Sequence, residues 1–161
     1  MASGKVSKLV IILFGVILLV LSSVIYLSIN KNPQNRINSQ YTAEVYYSTT
    51  CGCCINYIGY LRSNGFNVKP IIVDNTDAVK DENNIPQNMR SCHTTKIGNY
   101  FIEGHIPVEA ITKLVQEKPT ISGIALPNMP SGSPGMPGRK TSPFTIYGIT
   151  EGKSGGIFTQ V

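Results

Sequence analysis

The amino-acid sequence predicts an α/β fold preceded by one N-terminal transmembrane helix. Three observations carry that expectation. An uncharged apolar run lies near the start; β-branched and aromatic segments then alternate with segments whose apolar residues recur at helical spacing; and a Pro- and Gly-rich stretch precedes two closing β-like runs. At 161 residues the chain holds one domain of ordinary size plus an appendage, too little for two full globular domains.

The apolar run from Leu9 to Ile29 (LVIILFGVILLVLSSVIYLSI) has Ser22, Ser23, Ser28 and the phenol of Tyr26 as its polar members. It matches the ~20 residues needed to cross a hydrocarbon core. It also exceeds the ~7–15 residues of a signal-peptide apolar region, and no A-x-A-like cleavage site follows, so residues 1–29 read as an anchor or uncleaved signal. A short N-terminus ahead of such a segment leaves the rest of the chain outside the cytoplasm, although the flanking charges, Lys5 and Lys8 against Lys31 and Arg36, balance. Residues 30–40 (NKNPQNRINSQ) are polar, contain Pro33 and read as a linker.

Residues 41–161 form the domain proper. Thr42 to Ser48 reads as a strand, and beyond a break at residues 49–54 the apolar Ile55, Ile58 and Leu61 recur at helical spacing up to Asn64-Gly65, a helix-stop signal. A second strand covers Asn67 to Val73. Thr76 then caps a short polar helix through Asn83, and Pro86 marks a loop. Two short strands, Thr94 to Ile97 and Tyr100 to Glu103, flank the turn dipeptide Gly98-Asn99. Pro107 opens a helix with Val108, Ile111, Leu114 and Val115 on one face, closed by Lys118-Pro119. The resulting β-α-β-α-β-β-α order is that of a thioredoxin-like domain. Residues 120–142 follow as a Pro/Gly/Met loop, and Phe144 to Thr150 with Ile157 to Val161 read as a closing hairpin.

Charge excludes one class of partner. The net charge of +5 falls to +3 once Lys5 and Lys8 are set aside. The basic residues downstream are scattered singly, with no cluster to track phosphates and no aromatic stacking platform, so nucleic acid is not an expected partner. Four cysteines, three of them within residues 51–54, are too few and too crowded for a disulfide framework.

The chemistry concentrates at Cys51, Cys53 and Cys54. A loop between a strand and a helix N-terminus favours the thiolate, which is both nucleophile and metal ligand. Cys51 and Cys54 have the C-x-x-C spacing of redox sites, while Cys53 adds a third soft donor that disulfide exchange does not need. The Cys92-His93 pair precedes the third strand, where a thioredoxin-like redox enzyme carries a cis-proline. The chain also has no Trp, which such enzymes place before the first active cysteine. His105, the other of the two histidines, follows the next strand. Methionine is usually a core filler. Met129 and Met136, however, sit in a repeated P-x-M-P pattern, seven residues apart and with little apolar company; thioethers bind Cu(I) well and Zn(II) poorly.

Together, Cys51-Gly-Cys-Cys54, Cys92-His93-Thr94, Glu103-Gly-His-Ile-Pro107, Gly123-Ile-Ala-Leu-Pro-Asn-Met-Pro130 and Gly132-Ser-Pro-Gly-Met136 resemble the successive signatures of the CopG-type family. These are small periplasmic metal-binding proteins of copper-resistance systems, with a domain once labelled as of unknown function. The resemblance runs from about Tyr41 to Met136. It implies a thioredoxin-like fold adapted to bind copper and allows several ions in one thiolate-rich cluster and Cu(I)/Cu(II) interconversion. Carried over by residue, it implies Cys51, Cys53, Cys54, Cys92, His93, His105, Met129 and Met136 as metal ligands. The family usually has Gly where Asn128 stands, and often an acidic residue where Pro137 stands. The expected function is a membrane-tethered, extracytoplasmic copper-binding protein in copper tolerance or trafficking. Its partners would be copper ions, the membrane through residues 9–29, and other copper-handling proteins. Two alternatives stand beside it: a membrane-anchored thiol–disulfide oxidoreductase using Cys51 and Cys54, and a structural zinc domain.

Overall fold

The structure is a computed structural model that describes residues 8–29 and 33–161. The chain divides into two units, with the boundary between Pro33 and Gln34.

The first unit contributes α1 (Lys8–Ile29). The expected transmembrane helix is corrected here: among the described residues, no helix is long and apolar enough to cross a membrane. The side chains described in α1 run from position 10 to 26, all exposed. The membrane partnership assigned to residues 9–29 falls with that helix.

The rest of the expected fold class is corrected to a mixed α/β structure on one seven-stranded sheet. Its elements are α2 (Pro33–Asn38), β1 (Thr42–Tyr47), α3 (Gly52–Ser63), β2 (Asn67–Ile72), α4 (Thr76–Glu82), β3 (Thr94–Ile97), β4 (Tyr100–Glu103), α5 (Val108–Glu117), β5 (Gly123–Ala125), β6 (Thr145–Thr150) and β7 (Lys153–Gln160). The strand order is β2-β1-β3-β4-β5-β6-β7. The β1/β2 and β4/β5 pairs are parallel and the remainder antiparallel.

Each departure has an identifiable cause. Within the stretch read as a linker, α2 forms because the Asn38 side chain, fully buried, donates to the Asn64 carbonyl at 2.8 Å and accepts from the Thr112 hydroxyl at 2.9 Å. Inside the Pro/Gly stretch, β5 pairs with Phe101–Glu103, and Gly123 is what allows it: a Cβ there would stand 2.2 Å from the Phe101 carbonyl oxygen. The last hairpin is longer than expected because Glu151 and Gly152 both take positive φ (50° and 73°), the requirement of a tight two-residue turn, so β7 starts at Lys153.

The core lies between the sheet and α3 and α5, built around Val45, Tyr57, Leu61, Ile102, Ile111, Leu114 and Ile124. Each such aliphatic side chain contributes about 1.5–3 kcal/mol by its burial. The predicted inner face of α5, Val108, Ile111, Leu114 and Val115, is buried.

Candidate metal centre

Strand register gathers the chemistry. Tyr46 of β1 lies opposite Thr94 of β3, Thr94 opposite Glu103 of β4, and Glu103 beside Ala125 of β5. The end of β1, the start of β3 and the ends of β4 and β5 therefore meet at one end of the sheet. The loops that leave there carry Cys51–Cys54, Cys92-His93, His105 and the Met129/Met136 segment.

Cys51 caps α3 without a side-chain hydrogen bond, leaving its sulfur free for other chemistry. Cys51 and Cys54 are joined as a disulfide, with Cα atoms 5.4 Å apart. Around it, Cys53 Sγ lies 3.5 Å from Cys51 Sγ and 3.9 Å from Cys92 Sγ, and Cys92 Sγ lies 3.6 Å from Cys54 Sγ. All four sulfurs fall within 4.8 Å of one another. Burial, with the neighbouring Cys53 second, pushes the Cys92 thiol up to about 12.

A second donor group shares Cys92. His105 Nε2 is 3.0 Å and His93 Nδ1 3.3 Å from Cys92 Sγ, and the three residues present ligand atoms within 4.8 Å of one another. The Pro134 carbonyl lies 2.7 Å from His105 Nδ1. A carbonyl only accepts, so Nδ1 carries the proton and the Nε2 lone pair faces the sulfur, as metal-binding histidines require. His93 is fully buried and its Nε2 has no hydrogen-bond partner among the described residues. Burial first, then His105 and Lys80, holds the His93 imidazole well below its ordinary range; burial likewise lowers His105. Both are thus neutral near pH 7, the ligating form. Tyr57 packs on both rings, 4.6 Å and 5.4 Å between centroids, and donates its buried hydroxyl to the Ile106 carbonyl at 2.9 Å.

The methionines are placed differently from each other. Gly135, at φ +82°, rests against the first turns of α3: a Cβ there would lie 2.8 Å from Tyr57 N and 3.0 Å from the Cys53 carbonyl. Met136 follows it directly, half-buried, with its N–H on the Ser133 carbonyl at 2.9 Å. Met129 is 38% exposed, and both it and Asn128 take left-handed backbone, φ 44° and 66°. Asn tolerates that conformation better than most residues.

Of the eight expected ligands, the structure thus draws together Cys51, Cys53, Cys54, Cys92, His93 and His105, and sets the backbone beside Met136 against the same helix turns. Several supporting residues escaped the sequence reading: Tyr57, the Pro134 carbonyl, Lys80 and the carboxylate of Glu103. For Glu103 a signal existed, a charge closing an otherwise apolar strand. For Lys80 there was none, because it is one of four charged residues in the seven of α4.

A mixed α/β scaffold that converges four thiol-derived sulfurs and two neutral imidazoles at one end of the sheet defines a protein with a donor set for soft metal ions. The chain belongs to the copper resistance protein CopG family. It is 36% identical to a solved structure titled "Copper resistance protein copG- Form 2", covering 75% of this chain and 98% of that one at a TM-score of 0.69. A second, "Copper resistance protein copG- Form 1", is also 36% identical, with 74% and 96% covered and a TM-score of 0.67. The family described as "Protein of unknown function, DUF411" matches residues 89–136, which span Cys92 to Met136. No curated protein matches in sequence.

Proposed function

We propose that this protein binds copper outside the cytoplasm and serves copper tolerance or trafficking, with Cys51, Cys53, Cys54, Cys92, His93 and His105 as the principal ligands and Met136 and Met129 as thioether partners. The observation that carries this reading is the sharing of Cys92 between a four-sulfur group and a Cys/His group. A thiolate reached from both sides can bridge two ions, which a four-ligand structural zinc site does not need. Sulfur-rich sets favour Cu(I), and imidazoles also suit Cu(II). Supporting copper over zinc are the titles of the two related structures and the docking of the Met136 segment on α3. The Cys51–Cys54 disulfide fits an oxidising compartment. Partners among other copper-handling proteins follow from the same reading.

In the disulfide form neither Cys51 nor Cys54 can serve as a thiolate. Two electrons and two protons from a thiol reductant convert the bond to two thiols, and those protons leave when the metal binds. The test is to purify the full chain anaerobically, reduce it, load it with Cu(I) and count copper per chain. The reduced protein is expected to take up more Cu(I) than the oxidised one, and Cys53→Ser to lower the count although Cys51 and Cys54 remain.

A second reading, a thiol–disulfide oxidoreductase, is favoured by one feature: the Cys92 sulfur only 3.6 Å from Cys54 Sγ. Disulfide reductase activity together with an unchanged copper count in Cys53→Ser would establish it instead.

A further inference from the structure

Lys80 and Glu103 form an ion pair at 2.9 Å, both side chains essentially without solvent contact, next to the donor set but outside it. Glu103 Oε1 accepts from Lys80 Nζ and, at 2.6 Å, from the Ser91 N–H, while Oε2 accepts from the Thr94 hydroxyl at 2.6 Å. Lys80 Nζ closes the ring by donating to Thr94 Oγ1 at 3.1 Å. Ser91 immediately precedes Cys92, Thr94 immediately follows His93, and Glu103 itself stands two residues before His105. The Gly104 N–H adds a bond to the His93 carbonyl at 3.1 Å, and Gly104, at φ +83°, leaves no room for a Cβ against Ser91, which would sit 2.8 Å away.

Stability alone does not call for this pair. Withdrawing two ions from water costs several kcal/mol each, and apolar residues of similar volume in their place are often neutral or stabilising. What an apolar pair cannot do is hold donors on both sides of the Cys92-His93 dipeptide at fixed directions. We propose that the Lys80–Glu103 pair, with Thr94, is the positioning device of the metal centre: it clamps both flanks of Cys92-His93 and ties them to the strand that leads into His105. The inference rests on the copper reading above, and it extends the working set to α4, which contributes no ligand.

The test uses the full chain carrying Lys80→Met and Glu103→Leu together. Three measurements are made: urea unfolding of the metal-free reduced protein, competition for Cu(I) against a chelator, and peptide mapping of the disulfide after mild oxidation without metal. The double variant is expected to unfold at no lower urea than the parent, to bind Cu(I) about tenfold more weakly, and to yield disulfides that include Cys92 beside the Cys51–Cys54 bond. If the double variant does not fold, Thr94→Val, which removes the shared hydroxyl but keeps a β-branched strand residue, is expected to show the same two changes in smaller measure. A folded variant with the parent's Cu(I) affinity and Cys92 still unpaired overturns the proposal. A parent that takes up no Cu(I) overturns the copper reading instead, while the disulfide map still reports on the clamp.

Discussion

Gly135→Ala separates a docked Met loop from one that merely passes by. At φ +82° Gly135 occupies the left-handed region, where a Cβ costs about 1–2 kcal/mol. That Cβ would also meet Tyr57 N at 2.8 Å, the Cys53 carbonyl oxygen at 3.0 Å and Tyr57 Cα at 3.1 Å. All three are backbone atoms of a helix held by its own hydrogen bonds, so the loop rather than α3 must retreat. Retreat stretches the bond from His105 Nδ1 to the Pro134 carbonyl, now 2.7 Å, and the weaker one from Asn56 Nδ2 to the Gly135 carbonyl, 3.4 Å. Losing the first is worth about 1 kcal/mol, giving roughly 2–3 kcal/mol in all. Urea unfolding of the reduced, metal-free protein measures the loss, and Cu(I) competition is expected to show weaker binding because the His105 tautomer is no longer fixed. Gly52→Ala is the control. Gly52 lies in the first turn of α3 between two cysteines with no atom within 4 Å of a built Cβ, so Ala there should leave stability unchanged or raise it by about 0.5–1 kcal/mol. Gly135→Ala behaving like Gly52→Ala would refute the docking of this loop.

Two further outcomes are expected. Replacing Met129 and Met136 together by Leu keeps volume and apolarity, so the unfolding midpoint should hold while Cu(I) affinity falls and Zn(II) affinity stays; equal Cu(I) affinity in a chelator competition would remove the thioethers from the donor set. In the metal-free disulfide form, stability should be flat from about pH 7 to about pH 8.5 and fall on both sides. Below about pH 6.5 the unfolded chain takes up a proton that buried His93 refuses, a slope of about 1.4 kcal/mol per pH unit. Above about pH 8.5 the unfolded chain ionises Cys92 while the folded chain keeps it protonated. A denaturation series across pH checks both limbs, and His93→Gln should make the acid one shallower, leaving the part that His105 contributes.

Where periodicity alone decides structure, the fold was legible. The face of α5 and the short β3/β4 hairpin follow from spacing and from Gly98-Asn99, and tertiary contacts reinforce the same answer. The misses lie where a distant residue decides. Residues 33–38 carry no apolar period, and what makes them helical is Asn38 reaching Asn64 and Thr112, positions far away in the chain. The three residues of β5 are too few to show a period and exist as a strand because Phe101–Glu103 offers an edge. The Glu151 turn needs a non-glycine residue at positive φ, which composition does not announce.

The donor residues were legible for a different reason: Cys and His are scarce in this chain, and scarce types clustered beside strand ends stand out before any geometry is known. What the sequence could not convey is their shared use. Cys92 read as one member of a dipeptide, yet the antiparallel step from β1 to β3 puts its sulfur within 3.6 Å of Cys54, and the next step, to β4, puts His105 Nε2 within 3.0 Å of it. One thiol thereby joins a sulfur group and an imidazole group through two strand registers, together with the contact to its sequence neighbour His93. Slipping either register by one residue would move every alternate side chain to the opposite face. The pairing Thr94↔Glu103 that sets the second register is the same pairing that brings the Glu103 carboxylate onto the Thr94 hydroxyl and Lys80. The buried charges therefore sit at one of the two strand pairings where a slip would take the donor set apart.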